Sequence, residues 1–247
     1  DDAMTAADRW ASAAGGGDGA LGAYRLGVAG VLTGGLMPAS AGGRRPTSTR
    51  ALSRWSDFQK AELLWLDGVL AYLDHNPQRM GAVRRALAAA TAPHRPLLDR
   101  SLAALAAEAG GDRKGATRTM LELEAEIADR APIGDLLARY PRLVTANRLL
   151  AARWLRSLGE DTEAVRLLAW YESMFPTAVV AAWNSGIGSV DLLDRAEIAE
   201  LAGDSERARR YFTRFLQRYD RATQALRTRV ARASAGLDRL GPRSARA

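Results

Sequence analysis

The 247-residue chain contains no cysteine. That removes disulfides, thiolate nucleophiles and cysteine–metal sites from consideration. It selects no redox compartment. Histidine is nearly absent too: His75 and His94 each sit beside a proline, in "DHNP" and "APHRP". A histidine relay or metal site needs partners at fixed spacing, and neither residue has them. Both read as loop or cap residues. Phenylalanine (four residues), isoleucine and valine are sparse, while alanine, leucine and arginine dominate. The abundant types lose little rotamer freedom in a helix, so the composition predicts a mostly helical chain.

Long apolar runs are also missing. The nearest, "ALGAYRLGVAGVLTGGLM" at 20–37, carries Arg25 and several glycines. It reads as a small-residue helix running into a loop, not as a membrane span. No phosphate-binding loop, nucleophile elbow or paired-histidine helix occurs. "NSGIGS" holds a short G-x-G with no strand before it. Glu122, Glu124 and Glu126 would spread around a helix as a solvated face. No catalytic centre, metal or cofactor is expected. The chain starts Asp1-Asp2, without methionine, and reads as a processed product, a fragment or a partial chain.

The formal net charge is +7, but it is unevenly spread. From Asp204 onward there are twelve arginines and four acids; residues 1–203 carry 23 basic and 24 acidic groups. A basic terminal segment could meet nucleic acid, an acidic membrane surface or an acidic protein. No aromatics interleave its arginines at single-strand spacing, and no nucleic-acid motif is present. The reading is a solvated face or an acidic protein partner.

What is present is a repetition. "AGGDRKGATRTM" (109–120), "LGEDTEAVRLL" (158–168) and "LAGDSERARRYF" (201–212) share one grammar. Ala116, Ala164 and Ala208 are followed four residues on by Met120, Leu168 and Phe212, and seven on by Leu123, Tyr171 and Phe215. These spacings share one helix face. Five residues before each alanine stands Gly111, Gly159 or Gly203, where a helix needs a left-handed ending. Asp112, Asp161 and Asp204 supply the next helix starts. Twelve residues before each alanine stands another, Ala104, Ala152 or Ala196, so the paired helices can approach closely. A weaker copy is expected at Ala82, Ala86 and Ala89, 34 residues ahead of Ala116.

This pattern resembles the tetratricopeptide repeat, a helix–turn–helix unit of 34 residues with small residues at two facing positions. The best copy is 145–176, closing in Pro176; the copy at 189–220 ends in Asp220 instead, and Arg148 and Leu192 stand where the family has tryptophan. The resemblance implies an all-α fold: a right-handed superhelical α-solenoid of helix pairs over 51–240. The stretch 221–240 forms the terminal capping helix. Residues 1–50 would form a degenerate helical pair with Gly/Pro-rich loops, and 241–247 a tail.

The resemblance further implies a non-catalytic protein–protein interaction module, a scaffold or adaptor in a larger bacterial signalling or regulatory protein. A processed cell-envelope assembly protein is the alternative, and a basic-helix nucleic-acid binder a weaker one. An enzyme or regulatory subunit with a ligand near 13–49 is a third class. Carried over by position, the concave groove would hold a protein or peptide ligand against Asn147, Leu149, Arg153 and Arg156, with Leu193, Glu197 and Glu200 from the next unit. Ser101 and Glu108 would join from an earlier one. Trp183, in the long link 177–191, would either anchor a partner or tuck against adjacent helices. A cytoplasmic location is expected, with a periplasmic or membrane-associated one as alternative.

Overall fold

The computed structural model describes residues 18–32, 41–43, 45–46, 52–53, 55–130, 141–173, 192–219 and 226–241. These are helical, with no strand among them. The helices are α1 (Asp18–Leu32), α2 (Asp57–Leu73), α3 (Pro77–Ala88), α4 (Arg95–Ala109), α5 (Arg113–Arg130), α6 (Pro141–Ser157), α7 (Asp161–Ser173), α8 (192–201), α9 (Ser205–Arg218) and α10 (Arg227–Arg239). None of the described helices is long and apolar enough to cross a membrane.

Four turns are built alike. At α2–α3, α4–α5, α6–α7 and α8–α9 one residue adopts positive φ: His75, Gly111, Gly159 and Gly203, at 51°, 96°, 81° and 79°. In each, the next residue's N–H reaches the carbonyl five back: Asn76 to Ala71, Asp112 to Ala107, Glu160 to Leu155 and Asp204 to Ala199, all 2.9 Å. The positive-φ residue itself donates three back, to Tyr72, Glu108, Arg156 and Glu200. This is the Schellman ending, which satisfies carbonyls that a helix end leaves without partners. Asn76, Asp112 and Asp204 then accept from the following helix through their side chains. One expectation is corrected here. The cap position of α7 is Glu160, whose carbonyl takes the Ala164 N–H at 3.1 Å, while Asp161 is already the first helical residue.

The expected small residues are all interior: Ala104, Ala152 and Ala196, and Ala116, Ala164 and Ala208, are at most 1% exposed. Met120, Leu168 and Phe212 pack one turn on, with Leu123 and Phe215 beyond them. The side chain of Tyr171 lies outside the described residues. The earliest copy is shifted from its expected place, since Ala82, Ala86 and Ala89 are exposed. The common turn geometry instead aligns His75 with Gly111, and therefore Met80 with Ala116 and Gly68 with Ala104. A Cβ on Gly68 would come within 2.6 Å of the Leu102 side chain, so this position demands the smallest residue.

First helices (α2, α4, α6, α8) form a row, with second helices α3, α5, α7 and α9 paired to them. α2 packs on α3 and α4, α4 on α5 and α6, and α6 on α7. α10 packs on α9 and ends at Gly241 with φ 66°, as a further first helix would. Among the described residues α1 belongs to no such pair. Its Leu21, Tyr24, Val28, Ala29, Val31 and Leu32 join the core cluster running through α2 to α7. Each leucine and valine among them contributes about 1.5–3 kcal/mol relative to exposure.

Candidate functional site

The row of first helices has two unlike halves. In the first, α2, α4 and α6 close on one another. Trp65 of α2 donates to Ser101 of α4 (3.1 Å), whose hydroxyl donates to Asn147 of α6 (2.8 Å). α2 and α6 also meet directly. Trp154 donates to the Tyr72 hydroxyl (3.2 Å), which donates to Glu108 (2.7 Å). At the other end Arg142 pairs with Glu62. Burial first, then the Glu108 carboxylate, raises the Tyr72 phenol above its ordinary range.

α1 bridges α2 and α6. The Tyr24 hydroxyl donates to Asp67 (2.6 Å), Arg25 pairs with Glu62, and Arg153 of α6 donates to the Leu32 carbonyl (2.7 Å). Asp67 also receives Arg45 at 2.7 Å. A buried carboxylate is costly unless paired. Burial pushes the Glu62 carboxyl up, but Arg142 and Arg25 outweigh it and hold the group below its ordinary value. Burial and Asp67 together push the Tyr24 phenol far up.

The second half is an open, charged cleft of about 410 Å³ between the ends of α6, α8 and α10. Glu197 receives Arg156 (2.5 Å) and Arg232 (2.6 Å), and Glu200 receives Arg239 through two bonds of 2.7 and 2.8 Å. Behind them Arg153 pairs with Asp194 at 2.8 Å. Arg229 sits near Asp194, and its guanidinium is pushed down by burial and by the charges of Arg153 and Arg232. Burial would raise the Asp194 carboxyl, yet Arg153 foremost lowers it on balance. Five arginines thus face three carboxylates around the cleft. Leu201 lies on its wall, 56% exposed.

The expected groove residues are distributed over both halves. Arg156, Glu197 and Glu200 come together in the cleft, and Arg153 lies between the halves, bonded to both. Asn147 and Ser101 are buried in the helix-to-helix network, while Leu149 and Leu193 are core residues at 0% and 2% exposure. Glu108 holds Tyr72 and Arg113. Trp183 lies outside the described residues. Of the carboxylates expected on a solvated face, Glu122 is exposed, but Glu124 and Glu126 pair with Arg148 and Arg100.

The sequence reading missed Tyr24, Arg25, Glu62 and Asp67. Their signal was an arginine inside a small apolar stretch and two acids inside the apolar run "AELLWLDGVL". It also missed Arg232 and Arg239 as cleft residues, and Arg229 near Asp194 behind them. Among the described residues no group of three His, Asp or Glu side chains is placed to hold a metal ion. In comparisons with known proteins, no family model, no curated protein and no solved structure matches the chain.

Proposed function

We propose that the chain is a non-catalytic interaction module, a tetratricopeptide-like α-solenoid of right-handed superhelical form, and that the cleft at the α6–α8–α10 end receives a protein segment. The observation carrying this reading is that three residues expected to face a ligand, Arg156, Glu197 and Glu200, line one open cleft with Arg232, Arg239 and the exposed Leu201. Alternating charge around an apolar contact suits a peptide bearing both acidic and apolar side chains; the arginine excess favours acid. The four repeated turns and the small-residue register support the solenoid reading. Several arginines of the basic terminal segment have partners within the chain: Arg232 and Arg239 as above, and Arg209 with the α10 terminal carbonyls at 2.6 and 2.8 Å. That use of charge argues against nucleic acid as the ligand.

The test is capture of proteins by the intact chain beside Leu201→Glu and Arg239→Ala, both exposed positions whose change leaves the core intact. Partners retained at moderate salt by the intact chain should be identifiable and lost, about tenfold or more, with Leu201→Glu. Retention of nucleic acid alone, reversible by salt and unaffected by either change, would overturn the reading.

A further inference from the structure

We infer that α10 offers two guanidinium forks, Arg232 and Arg239, to a pair of ligand carboxylates, and that Glu197 and Glu200 are the residues that hold those forks in position. The ligand is an extended acidic segment of a protein, Glu-x-Glu in pattern. This deepens the reading of the cleft as a peptide site and rests on it. Arg239 gives Nε–H and Nη2–H to Glu200, at 2.8 and 2.7 Å. Arg232 gives the same two nitrogens to Glu197, at 3.0 Å from Nε and at 2.6 and 2.7 Å from Nη2. Each guanidinium is thus held side-on. Its fork has more N–H donors than that grip uses, and the end edge formed by Nη1 and Nη2 is left over. Among the described residues no acceptor takes Nη1 of either arginine. Both side chains line the cleft and are more than half exposed, so the spare edges are open to a ligand.

Charge sets how many carboxylates the ligand brings. Five arginines against three carboxylates leave two positive charges around the cleft, and two ligand carboxylates bring the set to neutrality. The spacing follows from the two helices. The forks rest on Glu197 and Glu200, and side chains three apart on a helix stand about 5–6 Å apart at Cβ. Their own positions, seven apart on α10, are separated by about 10 Å along the axis. Alternate residues of an extended chain share a face and lie about 6.7 Å apart, within those bounds. Two turns of helix, about 10 Å across, would fill roughly 850 Å³, twice the 410 Å³ of the cleft. An extended segment is the better fit, with Leu201 and Ala235 to receive its apolar side chains. A guanidinium already fixed by one carboxylate loses little freedom in taking a second, which favours binding. The Glu200 carboxyl is held below its ordinary value by Arg239 first, with a further contribution from Arg156, so the fixing charge is present at neutral pH.

The experiment titrates the full chain into the fluorescein-labelled peptide Gly-Leu-Glu-Leu-Glu-Leu-Gly, amidated at its C-terminus so that its two glutamates are the only carboxylates. Saturable binding is expected, at least tenfold weaker when both glutamates are glutamine, and at least tenfold weaker with Arg239→Ala in the chain. The sign of the effect at Glu200 decides the positioning role. Glu200→Ala should weaken binding at least threefold, and Glu200→Gln, which still accepts one bond from Arg239, should fall between it and the wild type. A cleft that merely attracts acid would bind more tightly in both variants, because each removes a negative charge. That result overturns the inference and leaves the cleft reading in place. Circular dichroism of each variant separates lost fold from lost binding, and Glu200→Gln alone decides the sign if Glu200→Ala loses helix. Equal binding of the glutamine peptide, or no saturable binding of the glutamate peptide, overturns the ligand assigned here. A captured partner that is still lost with Leu201→Glu would then keep the cleft reading standing without it.

Discussion

His75 occupies a backbone position that the three other turns give to glycine, at φ 51°. A residue with a Cβ in the left-handed region costs about 1–2 kcal/mol, while glycine there costs roughly 0.5–1 kcal/mol in unfolded-chain entropy. The first term is the larger, so His75→Gly is expected to raise stability by about 0.5 kcal/mol. The reverse change, Gly159→Ala at φ 81°, adds a Cβ that meets nothing within 4 Å, so its cost is conformational alone. It should lose about 1 kcal/mol. Urea midpoints of the two variants would check both signs, and a destabilised His75→Gly would mean that the imidazole is contributing more than a cap. These glycines were legible from sequence because a glycine in a repeated place has few reasons to be there. His75 was not, because histidine announces no backbone conformation; only the shared hydrogen bonds reveal the equivalence with Gly111.

At the scale of elements, the same shift explains why the first copy was misplaced by two residues. Alanines at 82, 86 and 89 imitate the small-residue register, yet they face solvent, and Met80, Val83 and Leu87 take the interior. Alanine is the best helix former wherever it stands, so in an alanine-rich chain it marks helix more reliably than it marks face. Charged residues mark function equally poorly. Arg148, noted as a departure in α6, bonds the Leu167 carbonyl at 3.2 Å and pairs with Glu124, tying α5, α6 and α7 together. The docking of α10 makes a sharper test. A Cβ on Gly236 would run into the ring of Phe212, which is fully buried. Gly236→Ala gains about 1 kcal/mol of helix propensity but overpacks the contact by about 1–3 kcal/mol. A net loss of roughly 1 kcal/mol in thermal unfolding is expected. A gain would show that α10 does not rest on Phe212.

Across the whole molecule, the ion pairs were hidden from the sequence because each joins residues far apart in the chain. Arg25 with Glu62, Arg142 with Glu62 and Arg153 with Asp194 span 37, 80 and 41 positions, and no local pattern encodes such partners. They couple the two halves of the first-helix row to pH. Glu62 and Asp194 both have carboxyl groups lowered in the folded chain: burial opposes ionisation, and the arginines overcome it. A lowered folded value means that the stabilisation is fully present above the unfolded values of about 4.3 and 3.9. It is lost as pH falls through the folded ones. His94 is buried against Phe58, ring centroids 4.2 Å apart, and burial lowers its imidazole despite the opposing charge of Glu62. Its contribution is likewise present above an unfolded value of about 6.5 and declines as pH drops below it. Stability measured by urea unfolding should therefore fall in two stages on acidification, a shallow one from about pH 6.5 and a steeper one below about pH 4. His94→Gln should flatten the first stage alone. Glu62→Gln should begin from a lower baseline, because it leaves Arg25 and Arg142 without their carboxylate, and should flatten part of the second stage. A wild-type profile level from pH 7 to pH 3 would mean that these buried charges add nothing net to the fold, and that hydrophobic packing alone holds α1 and α6 on α2.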